Sequence, residues 1–141
     1  MSKRIIDLDY MKTALRNIMV ELGPEHRAEC FYYNWEEWQN NSEVVPVCII
    51  GYFLEQEQLA DRILLPVGEI SDIASDNAEV VFKAINEEQQ PNVYITKAAR
   101  HFALAVQRSQ DHGSCWADAY AYGLSVLTNE EVQEDASETG N

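Results

Sequence analysis

The sequence lacks the paired cysteines that staple small secreted domains. Its three cysteines, Cys30, Cys48 and Cys115, are an odd number at wide spacing, which predicts reduced thiols. It also lacks an uninterrupted apolar run of about 18 residues, the length that a membrane span requires. The two isoleucines before Asp7 are too few for the core of a signal peptide. We therefore expect a protein of the cytoplasm that has no membrane partner.

Positive charge is also scarce. Ten Lys and Arg residues face 24 Asp and Glu residues, so the formal net charge is −14. This charge repels phosphate backbones and anionic lipids, so direct binding of nucleic acid is not expected. The apolar share is 46% of 141 residues, which suits one domain with a single core.

The sequence contains none of the motifs that fix a chemistry: no GxGxxG, no GxxxxGK[ST], no HExxH and no CxxC. We therefore expect no cofactor, no bound metal and no enzymatic activity. One alternative stays open, because His112 and Cys115 have the spacing of metal ligands. Cys48 or His101 would complete a zinc site or a nucleophile pair if the helices meet there. A small thiol- or metal-dependent enzyme is the function that corresponds to this alternative.

Apolar residues recur at three- and four-residue spacing in several segments, which predicts about five helices. The first follows Asp7 as N-cap and stops at Gly23 and Pro24. The fourth follows Thr96 as N-cap and stops before Gly113, where a left-handed residue is needed. The predicted helices cover residues 8–22, 47–58, 76–88, 97–110 and 115–127. The last has Ser114 as N-cap and buries Trp116, Ala119, Tyr120 and Leu124. A buried strand over residues 44–50 is the alternative to the second helix.

Two short segments have strand character instead. Residues 29–35 are aromatic and lack a helical stripe, and residues 93–95 read Val-Tyr-Ile. We expect these two strands to pair, which gives an α+β fold: a mostly helical single domain, residues 1–128, with a small two-stranded sheet. Residues 129–141 contain five acids, no base and one Val, so we predict a disordered acidic tail.

Two stretches resemble small uncharacterised proteins encoded by tailed phages of actinobacteria. The first is residues 46–51, PVCIIG, and the second is residues 107–119, QRSQDHGSCWADA. The resemblance implies a phage origin and carries no known activity. From the residues alone, both stretches serve packing: glycine and aspartate make close approaches and tight turns, and tryptophan fills a core. The structural motif consists of Pro46, Cys48, Gly51, Gln110, Asp111, Gly113 and Trp116.

An acidic and aromatic region stands out between residues 28 and 82. It holds eleven acids and a single base, Arg62. Within it lies an aromatic strip formed by Phe31, Tyr32, Tyr33, Trp35 and Trp38. Charge of one sign beside aromatic anchors suits a basic surface on a protein partner, here a bacterial host protein or defence factor. The alternatives are a DNA mimic that occupies a DNA-binding protein, self-association into a homo-oligomer, and an aromatic strip that serves only to pack the core. The candidate interface comprises Tyr32, Tyr33, Trp35, Glu36, Glu37, Trp38, Glu43, Glu55 and Glu57.

Overall fold

The computed structural model describes residues 4–25, 49–57, 59, 78–87 and 93–139. Within these ranges the chain forms six helices and two strands, so the predicted α+β fold, mostly helical with a small two-stranded sheet, is confirmed. None of the described helices is long and apolar enough to cross a membrane. In chain order the elements are β1 (Arg4–Ile6), α1 (Leu8–Leu22), α2 (Ile49–Gln56), α3 (Ala78–Glu87), β2 (Val93–Ile95), α4 (Lys97–Asp111), α5 (Trp116–Ser125) and α6 (Asn129–Thr139).

Helix α1 begins and ends as its sequence predicts. The Asp7 carboxylate accepts a hydrogen bond from the Tyr10 N–H at 2.9 Å, which satisfies one of the free donors of the first turn. Gly23 closes the other end by donating its N–H to the carbonyl of Met19. Four residues at helical spacing face the core, Leu8, Met11, Leu15 and Ile18.

The sheet joins two strands that lie far apart in the sequence. β1 pairs with β2 in parallel, with Arg4 opposite Val93 and Ile6 opposite Ile95. The predicted partner of β2, the strand over residues 29–35, lies outside the described residues, and no strand was predicted at β1. Three residues are too few to show an alternating pattern, so the pairing is set by tertiary contacts.

A side chain closes the other edge of β2. The Asn86 amide of α3 donates to the Ile95 carbonyl at 3.1 Å and accepts from the Ile95 N–H at 2.8 Å. The amide thus makes the two hydrogen bonds that a neighbouring strand residue would make. This contact fixes α3 against the sheet, and Ile85 and Phe82 of α3 are buried in the core.

The centre of the core is α4, which packs closely on α5. Phe102, Ala103 and Val106 of α4 are fully buried. A Cβ added at Gly123 would come within 2.5 Å of Val106 Cγ2, so only glycine allows this close approach of the two helices. Tyr120 of α5 meets Phe102 edge to face, with ring centroids 5.3 Å apart.

The connection between α4 and α5 differs in part from the prediction. Gly113 adopts a φ of 95°, so the predicted left-handed residue is confirmed. The N-cap of α5 is Cys115 and makes no side-chain capping bond, whereas Ser114 was predicted as the cap. The Ser114 hydroxyl instead accepts from the Ser109 hydroxyl at 3.0 Å. Leu124, predicted as a core residue, is 42% exposed because α5 turns that face to solvent.

The prediction of a disordered tail is wrong for most of its length, because residues 129–139 form α6. Thr128 caps this helix: its hydroxyl accepts from the Glu131 N–H at 3.1 Å, and Glu131 bonds back to it. Composition indicated disorder because the segment offers almost no apolar surface to bury. Its anchor is instead a carboxylate, that of Asp135, which is only 8% exposed.

Candidate functional site

Gln110 of α4 links the two stretches that carry the phage resemblance. Its side chain is buried, and its Oε1 accepts hydrogen bonds from the Ile49 N–H at 3.0 Å and from the Trp116 indole N–H at 3.1 Å. Ile49 begins α2 and Trp116 begins α5, so one acceptor satisfies a donor at the start of each helix. Two stretches that are separated by more than 50 residues in the sequence therefore meet at one buried amide.

The tryptophan itself forms the apolar side of this junction. Trp116 is fully buried, in agreement with its predicted place in the core. Its ring meets Tyr52 of α2 edge to face, with centroids 5.8 Å apart, a favoured geometry for aromatic pairs. Gly51 is buried in the same helix. The junction is thus both packed and hydrogen bonded. We call it the node, formed by Ile49, Tyr52, Gln110 and Trp116.

Asp111 lies at the exposed end of the node. Its Oδ1 accepts from the Gln107 amide at 2.9 Å and from the Gln110 amide at 3.2 Å. Burial raises the pKa of Asp111, and the two amide donors act in the opposite direction. The carboxylate fixes both glutamine side chains in the orientation that points the Gln110 oxygen at Ile49 and Trp116.

The node also holds both flanks of one region of the sequence, residues 26–48, which contains most of the candidate interface. Before that region, the Pro24 carbonyl accepts from the Ala117 N–H of α5 at 2.8 Å. After it, the Ile49 N–H donates to Gln110. Pro24 and Ile49, which lie on either side of residues 26–48 in the sequence, are therefore both held at the same place, the connection between α4 and α5.

Most of the predicted interface lies outside the described residues. Tyr32, Tyr33, Trp35, Glu36, Glu37, Trp38 and Glu43 fall in residues 26–48, as do Pro46 and Cys48 of the structural motif. Glu55 lies in α2, but its side chain is not among those described. The placement of these residues at an interface stays a prediction.

Glu57, the remaining residue of the predicted interface, is not an open surface carboxylate. Its side chain is 9% exposed and pairs with the Arg4 guanidinium. It also accepts from the Tyr10 hydroxyl at 2.6 Å. Burial raises the pKa of the Tyr10 phenol, and the neighbouring carboxylate raises it further. Sequence reasoning missed this cluster because Arg4 reaches Glu57 through β1, a strand that the pattern did not predict.

The two histidines of the zinc or thiol alternative contact different groups. His112 Nδ1 lies 2.7 Å from the Arg108 carbonyl. His101 pairs with Glu131 of α6, and Cys115 is a free, half-buried thiol. Among the described residues, no three His, Cys, Asp or Glu side chains are grouped to hold a metal ion. Cys48 lies outside those residues.

A basic face on α4 is a feature that the site prediction did not include. Two shallow cavities lie along it, of about 310 Å³ and 290 Å³. Lys97, Arg100, His101 and Leu104 line the first, and Arg108, Ser109, His112 and Tyr122 line the second. The signal was available in the sequence, because most of these positions recur at three or four residues along one helix. Lys97, Arg100 and Arg108 thus give α4 a local basic character, although the net charge of the sequence is −14.

Comparison with protein-family models, curated proteins and solved structures found no match to this chain.

The His101 and Glu131 pair makes the docking of α6 depend on pH. The hydrogen bond with His101 lowers the pKa of Glu131, and Thr128 adds to the effect. A carboxyl with a lowered folded pKa contributes stability that is complete above its unfolded value of 4.5 and is lost as pH falls through the folded value. We expect α6 to loosen in acid, measured as lower protection factors (intrinsic over observed amide exchange rate at the same pH) in residues 129–139 as the pH falls below 4.5.

Glu131→Gln tests this linkage. The variant should lose the acid-dependent part of α6 protection, while Glu130→Gln, at an exposed neighbouring position, should keep the wild-type profile. An unchanged acid profile in Glu131→Gln would show that another group controls the docking.

Proposed function

We propose that this protein is a non-enzymatic phage accessory protein that binds a protein in the cytosol of the bacterial host and inhibits a host or defence factor. The resemblance to proteins of actinobacterial phages supports the origin. The region between residues 28 and 82 supports the mode of action, because eleven acids and one base attract a basic surface.

The observation that carries this proposal is the common anchoring of Pro24 and Ile49. Both flanks of the aromatic strip are hydrogen bonded at the connection between α4 and α5, one to Ala117 and the other to the buried Gln110. Binding residues are typically found on segments that a rigid scaffold positions. The buried node supplies such a scaffold for Pro24 and Ile49, the described residues on either side of positions 26–48.

The partner class follows from the chemistry of the region. Its carboxylates would accelerate encounter with a basic surface, and this effect weakens as salt shortens the Debye length. Its tyrosine and tryptophan side chains would hold the complex after encounter, since aromatic anchors act mainly on dissociation. The two roles predict separate kinetic effects for charge and aromatic substitutions.

The test is capture from actinobacterial lysate, identification of the partner by mass spectrometry and then kinetics with the purified partner. We expect Trp38→Ala to raise the dissociation rate by roughly tenfold or more, the size of a hot-spot loss. Glu36→Lys/Glu37→Lys should instead lower the association rate, with an effect that shrinks at high salt.

The matched control is Glu21→Lys/Glu87→Lys. It makes the same charge change at two exposed positions outside the acidic and aromatic region. Wild-type rates in both interface variants would place the binding surface elsewhere. Competition by duplex DNA, with charge reversal dominating and Trp38→Ala silent, would favour the DNA mimic.

A further inference from the structure

The side-chain carboxylate of Asp135 lies at the edge of the sheet where both strands end. β1 and β2 run in parallel and each is followed at once by a helix, so the N-termini of α1 and α4 lie at the same edge. Both Asp135 carboxylate oxygens lie 3.2 Å from the Leu8 N–H, which donates to them. The Thr96 hydroxyl donates to Oδ1 at 2.5 Å. In open α/β sheets this edge is where ligands bind, and helix N-termini favour anions there.

Side chains add to the two helix N-termini at this position. Thr96 Oγ1 also accepts from the Ala99 N–H, which orients its proton towards Asp135. One helical turn before Asp135, Glu131 pairs with the His101 imidazole on α4. Lys97 and Arg100 line the cavity beside His101. Leu8, Thr96 and His101 thus form a socket for two carboxylates spaced four residues apart on one helix face.

The described apolar side chains of helix α6 are exposed, so they add little to its docking in the socket. Of its described side chains, Asp135 is the one that is buried, and Val132 is 46% exposed. Its acids also repel each other at four-residue spacing, as in Glu130 with Glu134 and Glu131 with Asp135. The two carboxylates therefore contribute more to the docking of α6 than its described apolar side chains do.

We propose that the socket formed by Leu8, Thr96 and His101 is a binding site for an acidic helical segment of a partner protein, and that α6 occupies it as an internal ligand. The segment is recognised by two carboxylates four residues apart. This site is distinct from the acidic and aromatic region. It binds an acidic segment, whereas that region is proposed to bind a basic surface. A tethered helix competes at an effective concentration in the millimolar range, so a partner displaces α6 only when it adds contacts that α6 lacks.

The experiment uses the full chain and a fluorescent peptide of residues 128–139. Glu131→Gln/Asp135→Asn neutralises the internal ligand without changing its length, so the socket becomes available. We expect this variant to bind the peptide at least about tenfold more tightly than the wild-type chain, because the tethered competitor is weakened. The same peptide carrying Glu131→Gln/Asp135→Asn should bind to neither chain.

The control is Glu130→Gln/Glu134→Gln, which removes the same charge from exposed positions of α6 and should bind like the wild type. If the double variant is unfolded by circular dichroism, Glu131→Gln alone serves, with an expected gain of roughly threefold. Equal binding of the acidic and neutral peptides, or no binding by a folded variant, would overturn the proposal. A wild-type dimer that exchanges α6, seen by light scattering, would make a second copy the occupant and overturn it as well.

Discussion

Replacing Trp116 with Ala is expected to lower the free energy of unfolding by about 3–5 kcal/mol, the cost of emptying a buried aromatic site. The side chain is fully buried, lies edge to face on Tyr52 and donates to Gln110. Its loss removes packing from both α2 and α5, and leaves Gln110 with one donor fewer. In a domain of this size the melting temperature should fall by roughly 10–20 °C.

The matched control is Tyr122→Ala on the same helix. Tyr122 is 49% exposed, so its removal should cost less than about 1 kcal/mol. Urea denaturation of both variants supplies the measurement. Equal losses for Trp116→Ala and Tyr122→Ala would show that the node does not hold α2 to α5.

Replacing Gln110 with Leu should cost about 2–4 kcal/mol, because two buried donors lose their acceptor. These donors are the Ile49 N–H and the Trp116 indole N–H. The control is Gln107→Leu, which changes an equally buried glutamine of α4 whose amide bonds to Asp111. We expect a clearly smaller loss there, since Asp111 keeps its contact with Gln110 and with solvent.

A double-mutant cycle isolates the indole hydrogen bond. Trp116→Phe removes the indole N–H and keeps an aromatic ring, so Gln110→Leu should cost less in the Trp116→Phe background than in the wild type. The expected coupling is about 0.5–1.5 kcal/mol, the net contribution of one such bond. Strict additivity of the two losses would contradict the geometry at Gln110.

Local signals were sufficient for the long helices. Asp7 and Thr96 are N-caps followed by apolar residues at helical spacing, and Gly113 supplies the left-handed residue after α4, so the sequence itself defines these boundaries. The burial of Trp116 followed from the same reasoning. These features depend on residues that are close in the chain. A sequence pattern can therefore predict them.

The elements that the sequence did not predict depend on distant partners. β1 has three residues, and its pairing is decided by Val93–Ile95, nearly 90 residues later. α6 carries almost no apolar surface, and the donors that hold Asp135 belong to Leu8 and Thr96. No periodicity encodes a hydrogen bond between a carboxylate and a helix end that is 127 residues away.

The candidate site likewise contains features that local sequence predicted and features that depend on distant residues. Gln110 and Trp116 were assigned to packing from their own stretch, but their contact with Ile49 required the fold. Glu57 was assigned to an open acidic surface, and β1 instead brings Arg4 to it. The basic spacing along α4 was visible in the sequence, whereas the carboxylates that dock beside it came from the predicted disordered tail.

The parallel pairing of β1 with β2 also sets the order in which a growing chain can complete its fold. Contacts between residues that are far apart in the chain slow folding, because a long loop must close before they form. At a synthesis rate of about 5–20 residues per second, β1 leaves the ribosome seconds before β2 exists. The hydrogen bond from the Leu8 N–H forms later still, because its acceptor Asp135 must first be synthesised. The contact between Leu8 and Asp135 therefore forms only after both α1 and α6 have been synthesised.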